Sequence, residues 1–251
     1  MLHLLKMGKN NYISYSLWGN KEIFTIGAIR NAELAKKIYK DWQVIIYYDN
    51  TVPQNVIDKL LSLDVQLVDM TNSGIYGLFW RFLAIDIPDS EFIIFRDADS
   101  RLSKREKLAV DEWMKSDKVL HVMRDHPCHG IPFGATHISI LGGMWGIKGG
   151  IIRITPEIES FISEKEDHYG IDQTFLMSVY KKFEHSKTVH DEFFDKKPFP
   201  IKRKKFHFVG ERIDENEMPL GDDWMHIKIY YKENYPSLSR RFKRVLKNLF
   251  K

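Results

Sequence analysis

The chain has 251 residues, 43% of them hydrophobic and 29% charged, with a formal net charge of +4. That balance excludes a disordered or collagen-like chain and supplies the apolar side chains of one full core. The single cysteine, Cys128, excludes an internal disulfide and fits a reducing compartment, and no apolar run approaches the ~20 residues of a membrane span. Met1 to Asn11 holds too short an apolar stretch for a signal peptide, so a cytoplasmic location is expected.

In chain order, Tyr12–Leu17 reads as a strand and Lys21–Tyr39 as a helix, with Ile29, Leu34 and Ile38 on one side. Gln43–Tyr48 is a second strand ending at Asp49. Pro53–Leu63 is a helix with proline in its first turn, Val65–Val68 a third strand, and Leu78–Ile87 a helix stopped by Pro88. Phe92–Phe95 is a fourth, fully apolar strand. Alternation of this kind predicts an α/β fold with a mostly parallel central sheet flanked by helices, whose ligands gather at the C-terminal strand ends. The second half is more mixed. Arg105–Lys115 reads as a helix and Val119–Met123 as a strand, followed by an irregular stretch, Arg124–Thr136. Then come Ile138–Leu141, a glycine-rich segment and a helix near Asp172–Lys182. The run Lys202-Arg203-Lys204-Lys205 reads as a solvated face or strand edge.

The chemistry concentrates where the fourth strand ends, in Phe95-Arg96-Asp97-Ala98-Asp99-Ser100-Arg101. On extended backbone, residues i and i+2 point the same way, so Asp97 and Asp99 can reach one ion. Hard cations that stay partly hydrated, Mg2+ or Mn2+, are held by one or two carboxylates plus phosphate oxygens. An Asp-x-Asp pair alone also serves as a solvated turn or a helix cap.

The company it keeps narrows the reading. Trp80-Arg81-Phe82-Leu83-Ala84-Ile85-Asp86-Ile87-Pro88, followed by Phe92 to Asp99, resembles the pattern of family-8 nucleotide-sugar glycosyltransferases, which have a GT-A (Rossmann-like) fold. The resemblance is tight over about 20 residues and loose over perhaps 170. It implies that Arg81 contacts the donor and that Asp97 and Asp99 hold Mn2+ (or Mg2+) against a diphosphate. A guanidinium fork suits phosphate oxygens and sugar hydroxyls. Leu141-Gly142-Gly143-Met144-Trp145-Gly146-Ile147-Lys148 resembles the loop and strand lining the sugar pocket, without the asparagine usual there, which implicates Gly142, Gly143 and Lys148. Asp172-Gln173 resembles the helix opening placed beside the anomeric carbon, although a carboxylate there also serves as a helix cap. The resemblance implies a histidine as third metal ligand. His190 is preferred and His207, in His-Phe-Val-Gly, is the alternative. By position, Ser16, Asn31 and Asp49 fall in the nucleotide region, and Arg96 and Arg101 are further candidates for phosphate or sugar contacts. Arg124-Asp125-His126-Pro127 is expected to be an active-site loop.

The expected arrangement is one catalytic domain over residues 1–236, with a nucleotide-binding half at 1–101 and a sugar and acceptor half at 102–236, and a tail at 237–251. That tail carries Arg240, Arg241, Lys243, Arg244, Lys247 and Lys251 and no acid, with Leu238, Phe242, Val245, Leu246, Leu249 and Phe250 at helical spacing. A basic amphipathic helix of this kind either lies peripherally on an anionic membrane or packs on the domain. Nucleic acid is not an expected partner, since no basic stripe runs elsewhere. The function implied is metal-dependent transfer of a hexose, with UDP-hexose the default donor, to a glycan or glycolipid hydroxyl. Family 8 implies retention of configuration; inversion would need a base such as Asp125 or Asp172. The alternatives are a sugar-phosphate nucleotidylyltransferase and a non-catalytic glycan- or nucleotide-binding module.

Overall fold

A computed structural model gives the structure of residues 10–130 and 140–235. The expected tail helix at 237–251, residues 131–136 of the irregular stretch Arg124–Thr136, and the first two residues of Ile138–Leu141 lie outside these described residues. The elements in order are β1 (Asn10–Leu17), α1 (Glu22–Ile38), β2 (Trp42–Tyr48), α2 (Gln54–Ser62), β3 (Gln66–Asp69), α3 (Gly77–Trp80), β4 (Ser90–Phe95), α4 (Lys104–Met114), β5 (Leu120–Arg124), β6 (Trp145–Lys148), α5 (Thr155–Ile162), α6 (Ile171–Lys182), β7 (Lys187–Asp191) and α7 (Trp224–Asn234).

The strands form one sheet in the order β3-β2-β1-β4-β6-β5-β7. β1 runs parallel to β2 and β4, β2 to β3, and β5 to β7, while β6 is antiparallel to both β4 and β5. This is the mostly parallel α/β sheet expected from the alternation. Both faces are covered, which is why its strands read as continuous apolar runs. Tyr12, Ile93, Phe95, Trp145 and Val122 pack beneath α3, α5 and α6 on one face. Ile13, Tyr15, Ile94 and Phe92 pack beneath α1, α2 and α4 on the other.

One expected element takes another form. Leu78–Ile87 is not a continuous α-helix: the four residues of α3 pass at once into a 3-10 turn over Arg81–Asp86. Two β1 hydroxyls explain the change. Ser14 Oγ donates to the Arg81 carbonyl at 2.7 Å, and the Arg81 amide donates to Ser16 Oγ at 2.9 Å. The junction is thereby tied to the strand, and Arg81 is presented at its C-terminal end.

The reversal of β6 matters most for the site. Trp145 at its start pairs with Phe95 at the end of β4. The glycine turn before β6 therefore emerges at the same sheet edge as Asp97. The far end of β6 does not: Lys148 pairs with Phe92, three residues and about 10 Å back along the strand.

Candidate active site

The segment after β4 is held from the α1 side. Asn31, buried in α1, donates from Nδ2 to the Ser100 carbonyl at 2.7 Å and accepts at Oδ1 from the Leu102 amide at 2.9 Å. Ser100 Oγ donates to the Asp97 carbonyl at 2.9 Å. Strand alternation sorts the side chains as far as Arg96. Phe95 points to the α6 face and Arg96 the opposite way, into α4, while Asp97, in the turn that follows, meets the α6 face again.

On the α6 face Arg81 is the hub. It is only 6% exposed. Nη1 pairs with Asp97 Oδ1, and Nη2 donates to Asp172 Oδ2 at 2.9 Å. Burial works against its charge, but Asp97 and Asp172 outweigh burial and move its pKa up. Asp172, 3% exposed at the opening of α6, is pushed up by burial, with Arg81 opposing. The Asp97 side chain is 47% exposed and forms the open rim. Asp99 is pushed up to about 6, first by burial and then by the charge of Asp97, with Arg212 and Arg81 opposing. Asp97 and Asp172 thus share one guanidinium, and Asp99 stands near enough to feel the charges of Asp97, Arg212 and Arg81.

The glycine turn closes over this cluster. A Cβ on Gly142 would overlap Asp172 Oδ2 and Arg81 Nη2, and one on Gly143 would overlap Asp97 Oδ2. Only glycine lets the backbone approach so closely. Gly143→Ala is expected to turn Asp97 out of its pair with Arg81. The cost is about 1–3 kcal/mol of stability, which denaturant unfolding measures. Arg81 Nε is buried here without a hydrogen-bond partner among the described residues.

The structure brings together Asp97, Asp99, Arg81, Asp172, Gly142 and Gly143, with the Gln173 backbone amide on Asp172. It gives other candidates different work. Ser16 and Asn31 bind backbone, as above, and position Arg81 and the Asp97 segment. Asp49, at the end of β2, accepts through Oδ1 from the Thr51 amide at 3.0 Å, and Thr51 Oγ1 accepts from the Gly19 amide at 2.6 Å. This joins the loops after β1 and β2 on the same sheet edge.

Arg96 is corrected: it is 2% exposed and pairs with Glu106 at 3.0 Å while donating to the carbonyls of Phe95 and Trp145. Arg101 is corrected too, since it clamps Glu217 at 3.0 Å and the Asp214 carbonyl. Lys148 donates to the Ser116 carbonyl at 3.0 Å, at the wrong end of β6. Asp125 is fully buried between Arg105 and Arg203, at 2.9 and 2.8 Å, so it is not available as a base. Its neighbour Arg124 is buried against Asp191 at 2.6 Å; the described part of that segment is core rather than an active-site loop. Arg203 turns inward, away from the solvated face expected for its run, while Lys202, Lys204 and Lys205 stay exposed.

Neither histidine joins the carboxylates. β7 lies three strand spacings from β4, about 14 Å. There His190 Nδ1 meets His121 Nε2 at 2.9 Å on the α4 face, with Glu112 at 3.6 Å. His207 is exposed and hydrogen-bonded to Glu211 at 2.8 Å. Among the described residues no three His, Cys, Asp or Glu side chains are grouped as a metal centre. Asp97 and Asp99 nevertheless fit a partly hydrated divalent cation, whose other positions belong to water and phosphate. Burial and the neighbouring Asp97 charge raise the Asp99 carboxyl, and a cation held between the two would oppose that rise.

The sequence reading missed Trp18. It is 44% exposed just past β1, edge-on to Trp80 at 5.9 Å, and packs on Gly77, where a Cβ would come within 2.9 Å of its ring. The available signal was Trp18-Gly19 directly after the apolar strand Tyr12–Leu17, a large ring at a C-terminal strand end. Two open clefts of about 450 and 420 Å3 lie at the opposite sheet edge and include none of these side chains.

No family model matches the chain, and no curated protein matches it by sequence. Solved structures are similar in fold. The 4-diphosphocytidyl-2C-methyl-D-erythritol synthase of Anaerococcus prevotii is 10% identical, with a TM-score of 0.45 over 74% of this chain and 89% of its own. Glucosyl-3-phosphoglycerate synthase of Mycobacterium tuberculosis is 10% identical, with a TM-score of 0.47 over 79% of this chain and 74% of its own. A glycosyltransferase involved in glycosylation of the major capsid of PBCV-1 is 14% identical, with a TM-score of 0.46 over 73% of this chain and 82% of its own. These are similarities of architecture.

Proposed function

We propose that this chain is a metal-dependent glycosyltransferase that moves a hexosyl group from a nucleoside-diphosphate-sugar, UDP-hexose by default, to a hydroxyl of a glycan or glycolipid. The observation that carries the reading is Arg81, joined at once to Asp97 and Asp172 beneath the Gly142–Gly143 turn. One guanidinium there can serve two groups of a donor, the phosphate beside Asp97 and the sugar beside Asp172. Its unused Nε supplies one further donor for a sugar hydroxyl.

Asp97 and Asp99 would hold Mn2+ or Mg2+, which when bound offsets the charge of the departing diphosphate. In the transfer, the bond from the anomeric carbon to the diphosphate oxygen breaks and a bond to the acceptor oxygen forms. The acceptor proton leaves to solvent or to the departing phosphate. On this reading the Asp172 carboxylate would favour positive charge developing on the sugar ring. Retention of configuration fits the resemblance to family 8 and needs no protein nucleophile. The exposed Trp18 face, beside the Asp49 loop, offers a stacking surface for the base.

A thermal-shift panel of nucleoside-diphosphate-sugars, with and without Mn2+, tests the reading, followed by detection of nucleoside diphosphate released onto glycan acceptors. A cation-dependent rise in melting temperature and sugar transfer are expected. Pyrophosphate release from a nucleoside triphosphate and a sugar phosphate would assign the nucleotidylyltransferase class instead. Sugar binding with no turnover on any donor would assign a binding module.

A further inference from the structure

The C-terminal end of the described chain exposes more apolar surface than the rest. Six of the ten exposed large hydrophobic residues, Ile201, Met218, Leu220, Met225, Ile229 and Tyr235, lie in its last 35 residues. Helix α7 shows why. Its inner side is anchored: Ile227 is fully buried, Tyr230 packs edge-on to Phe193 at 4.8 Å, and Tyr231 donates to Glu192 at 3.0 Å. The opposite stripe, at i, i+3, i+4 and i+7, is Met225, Lys228, Ile229 and Lys232, all exposed. Two apolar side chains sit between two lysines there, with Glu233 at the margin.

The cationic border continues beyond the helix. Phe206 stacks on Trp224 at 6.0 Å, and Lys228 lies over the same indole at 5.4 Å. This stacking sets the exposed Lys202, Lys204 and Lys205 beside α7. Asp222 and Asp223 stand at the start of the helix, where Asp223 is engaged by Arg212 at 3.3 Å. The chain then leaves α7 toward residues 236–251, which hold six basic side chains and no acid.

We propose that this face of α7 docks on an anionic lipid bilayer. Met225 and Ile229 enter the headgroup boundary, and Lys228 and Lys232, with Lys202, Lys204 and Lys205, meet the lipid phosphates. Charge selects this occupant. A protein partner of ordinary surface has no reason to match five exposed lysines and a six-cation extension, whereas a bilayer supplies negative charge and apolar depth together. Nucleic acid would match the charge but would leave Met225 and Ile229 uncovered. The proposal does not rest on the glycosyl-transfer reading, and its test uses no donor.

The test is vesicle flotation of the full-length protein at physiological salt. Phosphatidylcholine vesicles are compared with vesicles containing phosphatidylglycerol, for wild type, Met225→Glu/Ile229→Glu and Lys228→Glu/Lys232→Glu. Wild type is expected to float with the anionic vesicles only. Each double variant, on exposed positions and with an unchanged circular dichroism spectrum, is expected to lower the partition coefficient at least tenfold. Absence of wild-type flotation with anionic vesicles would overturn the proposal. So would flotation that ignores Met225→Glu/Ile229→Glu, since the sequence beyond α7 would then bind alone. A wild-type dimer in sedimentation velocity, broken by the same variant without loss of flotation, would reassign the face to a second copy of the chain.

Discussion

Arg81→Met is expected to destabilise the protein by about 3–5 kcal/mol near neutral pH, as is typical when one partner of a buried ion pair is removed. The loss comes chiefly from Asp172, which is 3% exposed and would keep its position without its 2.9 Å partner. Because burial already pushes the Asp172 carboxyl up, the variant has a route to relief by taking up a proton, and its deficit should shrink as pH falls. Arg81→Lys is expected to fall in between, since one ammonium cannot span Asp97 and Asp172 as the fork does. Adding Asp172→Leu to Arg81→Met should recover much of the stability, since it removes the unpaired buried carboxylate. Urea unfolding at pH 5.5 and 8 measures all of this. A deficit for Arg81→Met below about 1 kcal/mol, the range of exposed pairs, would contradict the buried pairing described here.

Asp99→Asn is expected to act in the opposite direction. The folded protein holds the Asp99 proton up to a pKa of about 6, against 3.8 for an ordinary aspartate. Below 3.8 both folded and unfolded chains are protonated. Between 3.8 and 6 the folded chain binds more protons, so wild-type stability declines as pH rises through this window, and it stays at the lower level above 6. Asparagine removes that decline. In divalent-cation-free buffer at pH 7.5 the variant should be about 1–3 kcal/mol more stable than wild type, with the advantage contracting toward pH 4. It should also lose any rise in melting temperature that Mn2+ and a nucleoside diphosphate give together. A wild-type and variant pair with parallel stability profiles from pH 4 to 8 would show that Asp99 carries no such shift. A residue whose neutralisation strengthens the fold while disabling binding marks a site shaped for a ligand.

Much of this was legible in the sequence because it follows from period and punctuation. The apolar runs from Tyr12 to Phe95, broken by proline and glycine, give β1 to β4 and α1 and α2 to within a residue or two. The extended backbone expected through Asp99 ends at Phe95: Asp97–Ser100 is a turn, closed by the Ser100 amide on the Asp97 carbonyl at 3.2 Å, so alternation reaches only as far as Arg96, which it sends to the face opposite Phe95. The burial of Arg96 against Glu106 follows from that alternation. What was not legible depends on long-range pairing. Nothing local in Gly142–Lys148 states that β6 runs backwards, and that reversal decides that Gly143 reaches Asp97 while Lys148 does not. The order β4-β6-β5-β7 likewise removes His190 from the carboxylates, although chain order alone places it plausibly. Arg101 and Arg203 are claimed by Glu217, Asp125 and Glu192, partners that no sequence window contains.

Asn31 lies in α1, away from the Arg81 cluster, yet it ties down Ser100 and Leu102, and with them the turn that starts at Asp97. The rotational freedom of that turn is surrendered when the chain folds, and a ligand arriving later has little left to freeze there. A helix remote from the chemistry thus keeps the entropic penalty of association low, a service that inspection of the contacting residues alone would never credit to it.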